Sequence, residues 1–159
     1  MAFGRLSVKG RALRYLAQRE HSRTELERKL ARRVEDLPEA SAAEQIARAL
    51  DELAAAGLLS EARVAESVLS TQGARFGARR LRQTLQAKGL DAELVAATLR
   101  QAEASELDRA RAVWQRKFGS LPASGAERAR QTRFLAGRGF AGDVIQRVLK
   151  GGAEAWDGD

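Results

Sequence analysis

The sequence predicts an all-α protein, an elongated tandem array of three three-helix repeats. Apolar residues recur at helical spacing along most of the chain. No alternating run of β-branched and aromatic residues exceeds about four. The chain also aligns with itself at an offset of 50, as tandem repeats do.

In chain order, a first helix is expected over residues 10–19. Leu26, Leu30 and Val34 mark a second, and Ile46, Leu50, Leu53 and Leu58 a third. A fourth covers 60–72 through Val64 and Val68, Leu81 and Leu85 define a fifth, and Leu94, Val95 and Leu99 a sixth. Leu107, Ala110, Val113, Trp114 and Phe118 form the stripe of a helix over 105–118, and two more helices follow. Each stripe is narrow, so each helix needs neighbours to cover it.

Punctuation agrees with this order. Ser22–Glu25, Ser41–Glu44 and Ser124–Glu127 each have capping-box spacing, a hydroxyl three residues before a carboxylate. Pro38 and Pro122 fall between stripes, where no helical hydrogen bond is lost. Under the offset of 50, Leu85-Gln86-Ala87-Lys88-Gly89-Leu90 lies over Leu135-Ala136-Gly137-Arg138-Gly139-Phe140. Each copy reads as a helix, a basic residue, a left-handed glycine and an apolar residue that packs back. A fainter copy begins at Leu26. The repeats are placed at 10–58, 60–101 and 103–150, with a flexible acidic tail at 151–159.

Composition narrows the function. The 159 residues are 44% hydrophobic and 31% charged, the range of a folded soluble protein. There is no cysteine and one histidine, His21. Disulfides, thiolate zinc sites and cysteine nucleophiles are thereby excluded. No apolar run approaches the roughly 18–20 residues of a membrane span, and no signal peptide is visible. A cytoplasmic location is expected. His21, beside a cap residue, is read as a solvent-facing turn histidine. Gly137 to Gly142 satisfies G-x-G-x-x-G, but a helix precedes it where a nucleotide-binding unit needs a strand, so it is read as a helix–turn–helix junction. No catalytic set or cofactor site is found.

The net charge is +7, from 28 Lys and Arg against 21 Asp and Glu. An arginine-rich composition alone says little, but the charge is segregated. Residues 1–33 carry +7, 34–62 carry −6, 63–90 carry +5, 91–108 carry −4 and 109–150 carry +8. Two readings are open: acidic and basic helices pair within the fold, or the basic helices form a continuous binding face. The densest cluster is Arg75-Phe76-Gly77-Ala78-Arg79-Arg80-Leu81-Arg82, followed by Lys88. With Leu81 and Leu85 facing inward, Arg79, Arg80 and Arg82 occupy the outer arc, suited to phosphates or carboxylates. Their third-repeat counterparts are Arg128, Arg130, Arg133 and Arg138. Phe76 is assigned to the core, base stacking being the other role open to it. Trp114 is assigned to the core, and Trp156 has no inferable role.

These segments resemble a known family. Gly57-Leu58-Leu59-Ser60-Glu61-Ala62-Arg63-Val64-Ala65-Glu66 is similar to the G-L-hydrophobic-x-(D/E)-x-R-F-A-E stretch of RecX regulatory proteins. The segment 77–90 resembles that family's G-x-x-R-I-x-x-x-L-x-x-K-G-I helix. The segment 133–145 resembles its F-L-x-R-R-G-F-x-x-(D/E)-x-I. The match runs over about residues 10 to 150. Val64 stands in place of phenylalanine, Gly137 in place of a common arginine, and Arg75-Phe76 in place of a basic-tyrosine pair. The resemblance implies a curved three-helix repeat array. It implies binding in the groove of the RecA recombinase filament on single-stranded DNA. It further implies inhibition of RecA ATPase, strand exchange and coprotease activity, with no enzymatic activity of its own. The partner-binding residues expected from it and from the charge pattern are Arg75, Arg79, Arg80, Arg82, Lys88, Arg130, Arg133 and Arg138, on a monomer. The alternative is a helical nucleic-acid-binding module without a RecA target.

Overall fold

Each expected helix forms in the computed structural model, which describes residues 5–151, but Val34 lies past the end of the second helix and Leu58 past the end of the third. The helices are α1 Val8–Gln18, α2 Arg23–Ala31, α3 Ala42–Ala55, α4 Glu61–Gln72, α5 Ala78–Ala87, α6 Ala92–Ala104, α7 Glu106–Lys117, α8 Gly125–Gly137 and α9 Gly142–Lys150. Among the described residues there is no strand, only an isolated antiparallel bridge of Leu37 with Ala40 in the Pro38 loop. Trp156 and most of the acidic tail lie outside the described residues.

The caps follow from local chemistry. The Ser22 hydroxyl accepts from the Glu25 N–H at 3.1 Å, and the Glu25 carboxylate accepts from the Ser22 N–H at 3.1 Å. Ser41 and Glu44 exchange the same pair at 3.2 and 2.8 Å. The third expected box is half made. Ser124 accepts from the Glu127 N–H at 3.2 Å, but the Glu127 carboxylate takes the Ala123 N–H at 2.8 Å. Ala123 is the first residue after Pro122 with an N–H to offer, so Glu127 ties down the loop instead of closing the box.

The helices gather into two packed units. The first comprises residues up to 67 together with 86–91. Here α1, α2 and α3 pack pairwise around Ala12, Leu26, Leu30, Ile46, Leu50 and Leu53. Leu59 closes this core, whereas Leu58, placed on the stripe by spacing, is 47% exposed. Gly57 at φ +74° redirects the chain just before them. The turn at 86–91 sits on the start of α2. The Ser22 hydroxyl donates to the Lys88 carbonyl at 2.5 Å, and the Arg28 guanidinium donates to the Ala87 carbonyl at 3.2 Å.

His21 corrects the sequence reading: it is 1% exposed, not solvent-facing. The Tyr15 ring lies 5.7 Å away, Nδ1 donates to the Arg19 carbonyl at 3.0 Å, and Nε2 accepts from the Lys29 ammonium at 2.8 Å. Only a neutral ring can accept from an ammonium. Burial lowers the imidazole's proton affinity, and the positive charges of Arg19 and Lys29 act the same way, against the raising influence of the Arg19 carbonyl and Glu25. Nearby, burial alone would raise Glu25, but hydrogen bonds from Arg19, Lys88 and the Ser22 N–H hold it at about 2.

Both groups bind a proton more readily in the unfolded chain. Stability is therefore full above the unfolded histidine value of about 6.5 and declines as pH falls from there to the lower folded value. A second decline begins below about 4.5, where unfolded glutamate protonates, and runs down through about 2. Urea unfolding across pH 3–8 is expected to show both steps. In His21→Gln the upper step should vanish while the lower one remains.

The described part of the second unit comprises residues 68–85 and 92–151. In it α7, α8 and α9 surround Ala110, Val113, Trp114, Leu135, Phe140 and Ile145, the cores of their stripes. The buried Trp114 indole donates to Gln131 Oε1 at 2.9 Å, which satisfies both polar groups. The two glycines aligned by the repeat adopt the left-handed conformation, φ +72° at Gly89 and +87° at Gly139, and the apolar residue after each is buried. Gly137, Gly139 and Gly142 accordingly lie on a helix–turn–helix junction.

Candidate partner-binding surface

The α8–α9 turn docks on the start of α5 within the second unit. The Gly77 N–H donates to the Arg138 carbonyl at 2.9 Å, and the Arg79 N–H donates to the Gly139 carbonyl at 3.2 Å. Between them, the Ala78 N–H donates to the buried Glu106 carboxylate at 3.3 Å. The amides of Gly77, Ala78 and Arg79 are thus satisfied internally and are not free to hold an anion. Positive charge at this end of α5 comes from side chains.

Docking brings Arg138 beside the α4–α5 junction. The Phe76 ring, 9% exposed, carries the Arg80 guanidinium at 4.1 Å, that of Arg75 at 5.1 Å and that of Arg138 at 5.6 Å. Arg138 also lies 5.2 Å from the Phe134 ring, and Lys117 5.5 Å from the same ring. Phe134 meets Phe118 edge-on at 5.4 Å, and Arg130 stands 5.7 Å from Phe118. The result is a ladder of cations resting on three phenylalanines. Each contact is worth about 0.5–1 kcal/mol at an exposed site. Its larger effect is to hold planar donors in place before any partner arrives.

Arg109 on α7 fixes the backbone beneath this ladder. It donates to the carbonyls of Gly73 at 2.7 Å, Phe76 at 2.5 Å and Ala102 at 2.6 Å. Burial lowers its proton affinity and the charge of Glu106 restores part of it.

The two units differ sharply in charge. The described part of the second holds fifteen Lys and Arg against six Asp and Glu, a net +9. The described part of the first holds thirteen against twelve. In the first unit several charges pair: Arg23 with Asp51 at 2.8 Å, Lys9 with Glu52 at 3.4 Å, and Arg63 with Glu20 at 2.9 Å. Acidic α3 thus neutralises its basic neighbours. Among the described residues no carboxylate pairs with Arg75, Arg79, Arg80, Arg82, Arg130, Arg133 or Arg138. Internal pairing thus accounts for part of the first unit's charge, and the second keeps a basic surplus.

Of the expected residues, the fold gathers Arg75, Arg80 and Arg138 on Phe76, with Arg130 further along the ladder. Arg79 and Arg82 are exposed on α5 and Arg133 on α8. Lys88 belongs to the first unit, where its ammonium binds Glu25 at 2.9 Å with only 19% of its side chain exposed. Phe76 is buried as assigned. Lys117, Phe118 and Phe134 were not singled out from sequence as parts of a site. Their only signal was a phenylalanine beside a basic residue, Lys117-Phe118 and Arg133-Phe134. Among the described residues no group of three His, Asp or Glu side chains is placed to hold a metal ion. No described helix is long and apolar enough to cross a membrane.

The architecture defines an all-α protein built of three-helix domains, with a basic surface on its C-terminal unit. Residues 60–99 match the family model for the second three-helix domain of RecX, and residues 104–149 match that for the third. The chain is 50% identical over 145 residues to the regulatory protein RecX of Leptothrix cholodnii, covering 91% of this chain and 88% of that protein. It is 44% identical over 146 residues to its namesake from Ralstonia nicotianae, covering 92% and 88%. The crystal structure of RecX from Lactobacillus salivarius superposes with a TM-score of 0.72 at 19% identity, over 90% of this chain and 92% of that one. The chain belongs to the RecX regulatory protein family.

Proposed function

We propose that this chain is a non-enzymatic cytoplasmic regulator of the RecA recombinase, acting on the RecA–single-stranded DNA filament in DNA repair and recombination. Its tandem repeats, 10–58, 60–101 and 103–150, meet repeating subunits of the filament. Docking bridges subunits, slows ATP turnover and strand exchange, and blocks coprotease activity. The supporting observation is the unneutralised arginine ladder on Phe76 and Phe134. Guanidiniums held within a few ångströms of one ring repel each other. A phosphate or carboxylate arriving between them removes that repulsion and gains charge-assisted hydrogen bonds.

The test is the single-stranded-DNA-dependent ATPase of the cognate RecA, with this protein titrated in from well below the RecA concentration. A binding assay on DNA alone runs beside it at the same salt. Inhibition at amounts too small to mask the DNA is expected. Arg79→Ala/Arg80→Ala/Arg82→Ala leaves Leu81 and Leu85 in place and is expected to fold. Each phosphate contact on a single strand contributes about 0.7 to the salt slope, so the triple variant should lose about 2 from it. Full inhibition by the folded triple variant overturns the assignment. Strong DNA binding with no effect on RecA ATPase favours the helical nucleic-acid module instead. Lys88→Ala is expected to act on stability, because it strips Glu25 of a partner.

A further inference from the structure

The first unit carries a cleft that none of this uses. It has a volume of about 1140 Å³ and lies between the start of α1, the end of α2 and the Pro38 loop. Arg5, Arg11, Arg14, Arg32 and Arg33 line it, with Glu35 as the acidic residue among them. Among the described residues, Arg5, Arg14, Arg32 and Arg33 form no ion pair. The Arg11 guanidinium donates to the Arg33 carbonyl at 2.6 Å and thereby joins α1 to the end of α2.

Apolar groups share the cleft. Leu6 is 45% exposed and Leu37 48%, while Val8, Tyr15 and Val34 form a floor against the core of the unit. Leu37 is not on a loose loop. Its N–H and carbonyl both bond to Ala40, at 2.8 and 3.2 Å. The Gln45 amide donates to the carbonyls of Glu35 at 2.9 Å and Ala40 at 3.2 Å, and Asp36 accepts from the Ala42 N–H at 2.6 Å. Five hydrogen bonds thus fix the loop that leaves this leucine exposed.

We propose that this cleft docks an acidic, amphipathic peptide segment of a partner protein. Leu6 and Leu37 take its apolar side chains and the arginines take its carboxylates. Arginine and tyrosine are enriched where proteins bind one another, and exposed leucines in the same concavity suit the apolar face of an amphipathic segment. A nucleic acid would satisfy the arginines but leave both leucines wet. The aromatic group present is no free stacking platform, since the Tyr15 ring already carries the Lys29 ammonium at 4.8 Å. The inference does not rest on the RecA reading, because the cleft and the arginine ladder share no residue.

The test is fluorescence anisotropy on the full chain with three labelled probes. One is an acidic twelve-residue peptide with leucines at i, i+4 and i+8, one is an oligoglutamate of equal length, and one is oligo(dT) of twelve nucleotides. The amphipathic peptide is expected to bind most tightly. Leu37→Ser should weaken it about tenfold and leave oligoglutamate unchanged, as loss of a central apolar anchor does. Arg32→Glu/Arg33→Glu should weaken both peptides, and Arg79→Ala/Arg80→Ala/Arg82→Ala neither. Circular dichroism checks that each variant folds. An unchanged peptide affinity in Leu37→Ser overturns the groove. Loss of oligo(dT) binding in Arg32→Glu/Arg33→Glu with peptide binding intact reassigns the cleft to nucleic acid.

Discussion

Glu106→Ala is expected to lower the unfolding free energy by about 3–5 kcal/mol, the cost of stripping a buried, hydrogen-bonded charge from its partners. Glu106 is 5% exposed at the start of α7. Its Oε1 accepts from the Ala78 N–H at 3.3 Å and from the Ala141 N–H at 3.2 Å. Those donors open α5 and α9, and Ala141 has no side chain to cap its own helix. One carboxylate therefore caps two helices, and its negative charge faces the positive ends of both macrodipoles. Alanine would leave two buried N–H groups without partners and Arg109 without its nearby countercharge. Glu106→Gln keeps an acceptor oxygen and loses only the charge, so about 1–2 kcal/mol is expected. Urea unfolding of the three proteins at pH 7 ranks them. Equal losses in Ala and Gln would mean that the charge beside Arg109, not the double cap, is what matters.

The consequence reaches the surface. Glu106 fixes the amide of α5 beside Phe76, and Arg109 fixes the Phe76 carbonyl. The arginine ladder rests on that backbone. Glu106→Gln should therefore weaken partner binding without removing a single basic residue.

Helices, loops and glycine turns were legible because they depend on local chemistry. Spacing placed Leu81 and Leu85 inward, and the glycines at 89 and 139 announced left-handed turns. What stayed hidden depends on contacts between separate helices and turns. His21 reads as a turn residue until Tyr15 and Lys29 close over it. Lys88 reads as part of a basic run, but its partner Glu25 lies 63 residues away. Charge windows showed segregation yet could not tell that α3 pairs with Lys9 of α1 and Arg23 of α2 while the other unit keeps its surplus. Membership of the α5 cluster was visible from Arg79, Arg80 and Arg82. The meeting of Arg138 with Phe76 required the docking of one turn on another helix, which no local pattern encodes.

That docking carries the second large expectation. Gly139→Ala should cost about 3 kcal/mol or more. The left-handed backbone at φ +87° alone accounts for about 1–2 kcal/mol of it. The rest is steric: a Cβ at Gly139 would lie 2.6 Å from the Arg80 Cβ and 2.7 Å from the Arg80 nitrogen. From the other side, a Cβ at Gly77 would lie 2.5 Å from the Gly139 oxygen and from the Phe140 nitrogen and Cα. These are backbone atoms, which cannot swing aside as a side chain does. Two glycines thus let two main chains touch, and that contact sets Arg138 and Arg80 on the same ring. Gly137→Ala is the internal control, two residues away, helical and with open space where its Cβ would go. It should be neutral or stabilising by about 0.5–1 kcal/mol. Thermal unfolding separates the pair. A large loss at 139 with none at 137 ties the cost to the interhelical contact, whereas similar values at both would mean that α5 does not depend on the turn that meets it.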